Sequence, residues 1–153
     1  MIPFEKIIQL LEEKKLDYKV FKHEPTPTSE DSARVRNCSL DSGVKALVIK
    51  AENKFLICAI SASKRLSHKK LQSLLQKKKS RFATAEELFE LTELKPGAVP
   101  PFGLIFNLPT LVDNSVKEQE IINFNAGDLC VSISMQSKDY LTLFHSITHD
   151  ITE

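Results

Sequence analysis

The chain has 153 residues, 42% of them hydrophobic and 27% charged, which suits one soluble domain able to bury its own core. No apolar run approaches the roughly 20 residues that a membrane span needs, and the opening residues lack a basic segment followed by a long apolar one, so a membrane-free, cytoplasmic protein without a secretory leader is expected. The net charge of +1 hides an asymmetry: eight of the 21 basic residues fall between Lys64 and Arg81, where there is no acid, leaving 13 basic residues against 20 acidic ones elsewhere.

In chain order, residues 3–15 read as an amphipathic helix, with Phe4, Ile7, Ile8 and Leu11 at helical spacing. Residues 18–22 alternate as a strand does. His23, Pro25 and Pro27 break that pattern, and Thr28 reads as the cap of a helix running to about Asn37, with Ala33 and Val35 inward. Ser42 and Gly43 turn the chain into two nearly continuous apolar runs, 44–50 and 55–60, joined by a hairpin near Asn53. Such runs suit central strands. Lys45 interrupts the first run, either as a side chain reaching solvent or as a functional cation. Ser67 caps a helix over about 68–78 with Leu71, Leu74 and Leu75 as its buried stripe and its lysines outward. Residues 81–83 are extended, and Thr84 to Glu87 form a capping box for a helix ending near Leu91. Residues 104–106 and 110–113 read as strands and 115–118 as a turn. Strands at 121–125 and 130–135 are joined through Ala126, Gly127 and Asp128. Ser137 caps a last helix to about Phe144, and 145–153 read as a polar tail. About seven strands and five helices, with strands running consecutively after residue 103, predict an α+β fold. Its mixed, largely antiparallel sheet has helices packed outside, in one domain spanning 1–153.

Little conventional catalytic machinery is visible. His23, His68, His145 and His149 show no metal-ligand spacing, and neither a nucleophile elbow nor a phosphate-binding glycine loop is present. Cys38, Cys58 and Cys130 are odd in number and widely spaced, which predicts free thiols and argues against a zinc site. The densest punctuation is 95–103, with three of the seven prolines and two of the four glycines. A stretch of this kind is stiff and leaves few N–H groups, so it serves either as a connector or as a frame for aiming them. Any enzyme built from these parts works by positioning, backbone polarisation and water. Residues 64–81 are the footprint of a polyanion contact or, equally, a solvated helix face.

Several blocks carry a family resemblance when taken together: 43–50, 81–88, Lys95-Pro96-Gly97-Ala98-Val99-Pro100-Pro101-Phe102-Gly103, Val112-Asp113 and 124–127. In this order and spacing they resemble the YbaK/prolyl-tRNA synthetase-associated editing domain family over about 18–144, the Pro/Gly block being the specific part. The resemblance implies a trans-acting deacylase that hydrolyses mischarged aminoacyl-tRNA with water, without metal or organic cofactor. The implied tRNA is tRNA-Pro or a related tRNA bearing a small amino acid. It implies that Lys45 engages the terminal adenosine or its phosphates, and that Gly97 and Ala98 surround the scissile ester. His23, Thr28, Pro100, Phe102, Asp113, Asn125, Gly127 and Asp128 would bind substrate. Some relatives carry a histidine near the position of Asp128, and its absence weighs against an alanine-specific pocket. Lys64, Arg65, Lys69, Lys70, Lys77, Lys78 and Lys79 would hold the acceptor end, and a synthetase is a possible partner. The alternatives are a non-catalytic module that binds tRNA ends or a synthetase, and a general nucleic-acid binder using only 64–81.

Overall fold

The computed structural model describes residues 1–25, 29–36 and 38–153. Among them are seven strands and six α-helices: α1 (Pro3–Glu13), β1 (Tyr18–Lys22), α2 (Ser29–Arg36), β2 (Val44–Ala51), β3 (Lys54–Ser61), α3 (His68–Leu75), β4 (Ser80–Phe82), α4 (Ala85–Thr92), β5 (Thr110–Val112), α5 (Asn114–Lys117), β6 (Ile121–Asp128), β7 (Val131–Gln136) and α6 (Ser137–Thr142). The mixed, largely antiparallel arrangement is as expected, and the strands divide between two sheets. One is antiparallel in the order β1-β7-β6, and the other runs β4-β2-β3-β5 with β3 and β5 parallel. No helix of the described residues is long and apolar enough to cross a membrane.

The near-continuous apolar runs of β2 and β3 follow from burial on both faces. Ile49, Leu56, Cys58 and Ile60 pack under α3 with Leu66, Leu71 and Ile151. Val48 and Ile57 face the other way, onto Leu88 of α4 and Val99. The third cluster joins Ile7 and Leu11 of α1 to the inner face of the three-stranded sheet and to Tyr140 and Leu141 of α6. Burial pushes the Cys58 thiol up to about 12, with Asp113 adding to it, so this sulfur stays protonated and serves as core.

Two capping readings hold. The Ser67 hydroxyl accepts from Lys70 N at 3.1 Å, and Thr84 and Glu87 form the reciprocal box. Arg81 grips Glu87 with both guanidinium nitrogens, at 2.8 and 3.0 Å. This grip, with the Thr84 N–H, holds the carboxyl down to about 2.

Other expectations are corrected. Residues 104–106 belong to a 3-10 turn, Gly103–Phe106, because Leu108 N closes back on Gly103 O at 2.9 Å. The turn expected at 115–118 is a single helical turn, α5, at Asn114–Lys117. β6 runs on through Asp128 across an irregularity after Asn125, so the hairpin turn is Leu129-Cys130. The N-cap of α6 is Gln136, and the Ser137 hydroxyl instead donates to Val116 O at 2.8 Å. α3 ends at Leu75, and Leu74 is exposed. The helix cap placed at Thr28 and the helix end placed at Asn37 lie outside the described residues.

The largest correction is the C-terminal segment, which is docked and partly buried. Buried Asp113 holds it: its carboxylate accepts from Ile151 N (2.9 Å), Thr152 Oγ1 (3.2 Å) and Ser115 N (2.9 Å). Ser67 N donates to Ile151 O, and Lys70 Nζ reaches Asp150 and Thr152 O. Asp113→Ala would leave two buried N–H groups and a hydroxyl unpaired, at a cost of roughly 2–5 kcal/mol. Denaturant unfolding is expected to show that loss. An unchanged midpoint would mean that the carboxylate does not anchor the segment.

Candidate functional site

The Pro/Gly loop between α4 and β5 has one exposed end and one buried end. Ala98 N donates to Lys95 O at 3.1 Å across Pro96 and Gly97, and Gly97 has φ +88°. Proline at the second position and glycine with positive φ at the third make the pattern of a type II turn. Pro96 and Gly97 are exposed, whereas residues 98–103 are buried. Phe102 lies fully inside, with its ring 5.2 Å from Phe124 and 5.4 Å from Tyr140. The Tyr140 hydroxyl donates to Pro101 O at 2.6 Å. A β-carbon on Gly103 would collide with Thr110 Oγ1 and Leu108 O.

The exposed end is held by the three-stranded sheet. Asn125 Nδ2 donates to Gly97 O at 2.7 Å, and Gly127 N donates to Ala98 O at 2.9 Å. Asn125 is directly opposite Ser132 in the β6/β7 ladder. Ser132 Oγ lies 3.4 Å from Asn125 Oδ1 and 2.6 Å from His23 Nε2. His23 Nδ1 is 2.7 Å from Glu24 O. A carbonyl only accepts, so Nδ1 carries the hydrogen; Ser132 Oγ has one hydrogen, which serves Asn125 Oδ1 or His23 Nε2 but not both. A polar chain thus runs from the end of β1 through Ser132 and Asn125 to the loop carbonyl.

Lys45 joins this group by strand parity. A parallel bridge pairs Gly43 with Asn123, and Asn123 Nδ2 donates to Ser42 Oγ. Val44, Ile122, Phe124 and Ala126 turn into the core. Lys45 and Asn125, each two residues past the bridge, therefore share the opposite face. Lys45 is half-buried, and desolvation lowers its pKa below the usual lysine value; nearby Glu30 opposes that shift and Arg65 adds to it. A cation and the residue that holds the exposed turn thus stand on one face.

The aminoacyl-tRNA editing domain family matches this chain over residues 23–143. The chain belongs to that family. It is 29% identical over 147 residues to the multifunctional Ser/Thr-tRNA deacylase ProXp-y of Escherichia coli K12, a match covering 93% of this chain and 88% of that one. It is 28% identical over 131 residues to the prolyl-tRNA editing protein ProX of Acetoanaerobium sticklandii, covering 83% and 76%. A solved structure described as a candidate trans-editing enzyme for prolyl-tRNA synthetase superposes with a TM-score of 0.84 at 26% identity, covering 100% and 99% of the two chains.

Of the residues expected at the site, Lys45, Gly97, Asn125 and His23 gather here. Gly127 backs the group through its bond to Ala98. Others lie elsewhere. The Ala98 N–H is already engaged by Lys95 O, so it does not point at a ligand. Phe102 and Pro100 are buried, Phe102 among core rings. Asp113 is occupied by the C-terminal segment. Asp128 caps the hairpin turn by accepting from Cys130 N at 2.7 Å and lines a different cleft with the start of α1. Thr28 lies outside the described residues. Ser132 was missed in the sequence; a turn at 129–130 alone would set Asn125 opposite Ser134, and only the irregularity after Asn125 brings it opposite Ser132.

The basic segment does not form one patch either. Lys70 is bound to the C-terminal segment, and Lys77 lies 3.6 Å from Glu52. Lys64 and Arg65 follow β3, whose end pairs with the start of β2 near Lys45.

Asn125→Asp replaces the amide donor facing Gly97 O with an acceptor. Losing a bond of about 1 kcal/mol should speed exchange of the Gly127 amide several-fold. Unchanged protection in hydrogen exchange would show that the loop is held without Asn125.

Proposed function

We propose that the protein is a trans-acting aminoacyl-tRNA deacylase that hydrolyses the ester of a mischarged tRNA, with water as the nucleophile. The observation that carries this reading is the shared face of Lys45 and the Asn125–Gly97 clamp. It sets a partly desolvated cation beside an exposed turn whose Gly97 N–H has no hydrogen-bond partner among the described residues. The names of the two curated relatives agree with it.

In this mechanism Lys45 holds the terminal nucleotide through its phosphate or ribose, with Lys64 and Arg65 adding phosphate contacts on the same side. The Gly97 N–H polarises the ester carbonyl and stabilises the oxyanion, and Asn125 keeps the turn from tilting. The vicinal ribose hydroxyl of the substrate helps deliver water. No side-chain nucleophile is invoked. His23 and Ser132 lie beside the aminoacyl group and favour a small, polar side chain. Physical need explains such an activity: a synthetase pocket separates near-isosteres by only about 1–3 kcal/mol, so a second sieve is required. This reading places the protein in the cytoplasm, free or docked on a synthetase, and serving tRNA-Pro or a related tRNA.

A panel of tRNAs charged with Ser, Thr, Ala or Cys tests the reading directly. Ester loss is expected for at least one, with Ser and Thr ahead of Ala. Loss from none would return the protein to the class of non-catalytic binding modules. Lys45→Ala is expected to lower kcat/KM by on the order of 10²-fold, the usual cost of misplacing a reacting group. The fold should stay intact, because the side chain is half-exposed at a strand end. Retained activity would remove Lys45 from the mechanism.

A further inference from the structure

β1 is a free strand edge. It has β7 on one side, and on the other no strand or bridge among the described residues. The other edges are shorter or already met: β4 and β5 have three residues each, and β6 is joined by Gly43.

The register shows which groups of β1 point outward. Lys22 pairs with Val131, and the next residue, His23, donates its N–H to Cys130 O at 2.9 Å. Hydrogen-bonded pairs alternate in an antiparallel ladder, so Lys19 and Phe21 also turn their backbone groups to β7. Tyr18, Val20 and Lys22 turn theirs outward, where no bond among the described residues reaches them. The side chains leave the edge equally open. Val20 is 38% and Phe21 43% exposed, and both lysines are exposed. Such an edge is a template for another strand.

The five residues Tyr18-Lys19-Val20-Phe21-Lys22 match themselves when run antiparallel. With Val20 opposite the partner's Val20, Tyr18 faces the partner's Lys22 and Lys19 faces the partner's Phe21. The outward backbone groups of Tyr18, Val20 and Lys22 then meet their counterparts. Every lysine stands opposite an aromatic ring and none opposite a lysine. Lys22 has a second attraction. The Tyr18 hydroxyl donates to Glu12 Oε1 at 2.6 Å, which places a carboxylate beside the ring that Lys22 faces. Glu12 has no ion pair among the described residues. Sliding the strand by two residues keeps the parity but pairs only three of the five. Edge lysines ordinarily keep strands apart. In this register the same sequence supplies both with partners.

We propose that β1 pairs with β1 of a second copy about a twofold axis at Val20, joining two three-stranded sheets into one of six strands. The contact is isologous, so it closes at two copies. The axis is perpendicular to the sheet. Phe21 and Asn125 both stand opposite Ser132, so both copies present this row on the same side. The pairing is independent of the deacylase reading, which needs only one chain.

Sedimentation velocity over a concentration series tests the pairing, with hydrogen exchange as the local readout. A monomer–dimer equilibrium is expected, with the Val20 and Lys22 amides protected more strongly as concentration rises. Val20→Lys sets two lysines together on the axis and should weaken the dimer at least tenfold. Lys22→Glu and Glu12→Lys should each weaken it. The double variant Glu12→Lys/Lys22→Glu should recover most of the lost affinity, which a mere folding defect does not give. A chain that stays monomeric up to about 1 mM would overturn the proposal. A dimer indifferent to Val20→Lys would overturn it too, placing the contact elsewhere. An RNA hairpin that protects the same amides while the protein stays monomeric would assign the edge to RNA and overturn it as well.

Discussion

Burial of one end of the Pro/Gly loop is the constraint on which the site depends. Buried backbone must have partners for its N–H groups. Pro100 and Pro101 have none to satisfy, so this irregular chain can pass through the interior cheaply. What remains is bonded: Pro101 O to Tyr140, Phe102 N to Pro100 O, Gly103 N to Thr110 Oγ1. Phe102 then acts as a wedge among Phe124, Tyr140 and Phe144. With residues 100–103 fixed in this way, the type II turn at 96–97 has little freedom in where it projects. Asn125 and Gly127 remove most of the rest.

The second constraint is the junction between the sheets. The bridge between Gly43 and Asn123 makes the start of β2 a neighbour of β6, although the two strands belong to different sheets. Because side chains alternate, that one contact decides which residues of both strands face the core and which face outward. It puts Lys45 beside Asn125 and keeps Val44 and Phe124 inside. A slip of one residue would exchange the two sets and bury the lysine.

Much of the fold was legible because its signals are local. The apolar runs of β2 and β3, the Ser67 cap and the Thr84–Glu87 box depend on near neighbours in sequence. What was not legible depends on distant partners. The C-terminal segment looks polar, and it is ordered only because Asp113 lies under it. Residues 104–106 are as apolar as a strand, but Leu108 folds back on Gly103 and coils them. Lys45, Gly97 and Asn125, which make up the candidate site, all stand in the family blocks. Those blocks do not separate residues that face a ligand from residues that hold the frame. Asp113, Phe102 and the Ala98 N–H belong to the frame. Ser132 stood outside every block and enters only through its cross-strand position.

Gly97 shows why frame and site cannot be separated at every position. Its positive φ makes the turn, and the same φ presents its N–H outward and its carbonyl to Asn125. A β-branched side chain there would strain the backbone in the folded state, so damage from such a change reports on turn and chemistry together. The anchors do not share this difficulty. Tyr140 can lose its hydroxyl and Asn125 its amide without any change in backbone preference, so they report how firmly the turn is aimed. The candidate site is therefore best understood through its anchors: a short exposed turn held by a buried ring, two hydrogen bonds from the sheet, and prolines that need no partners.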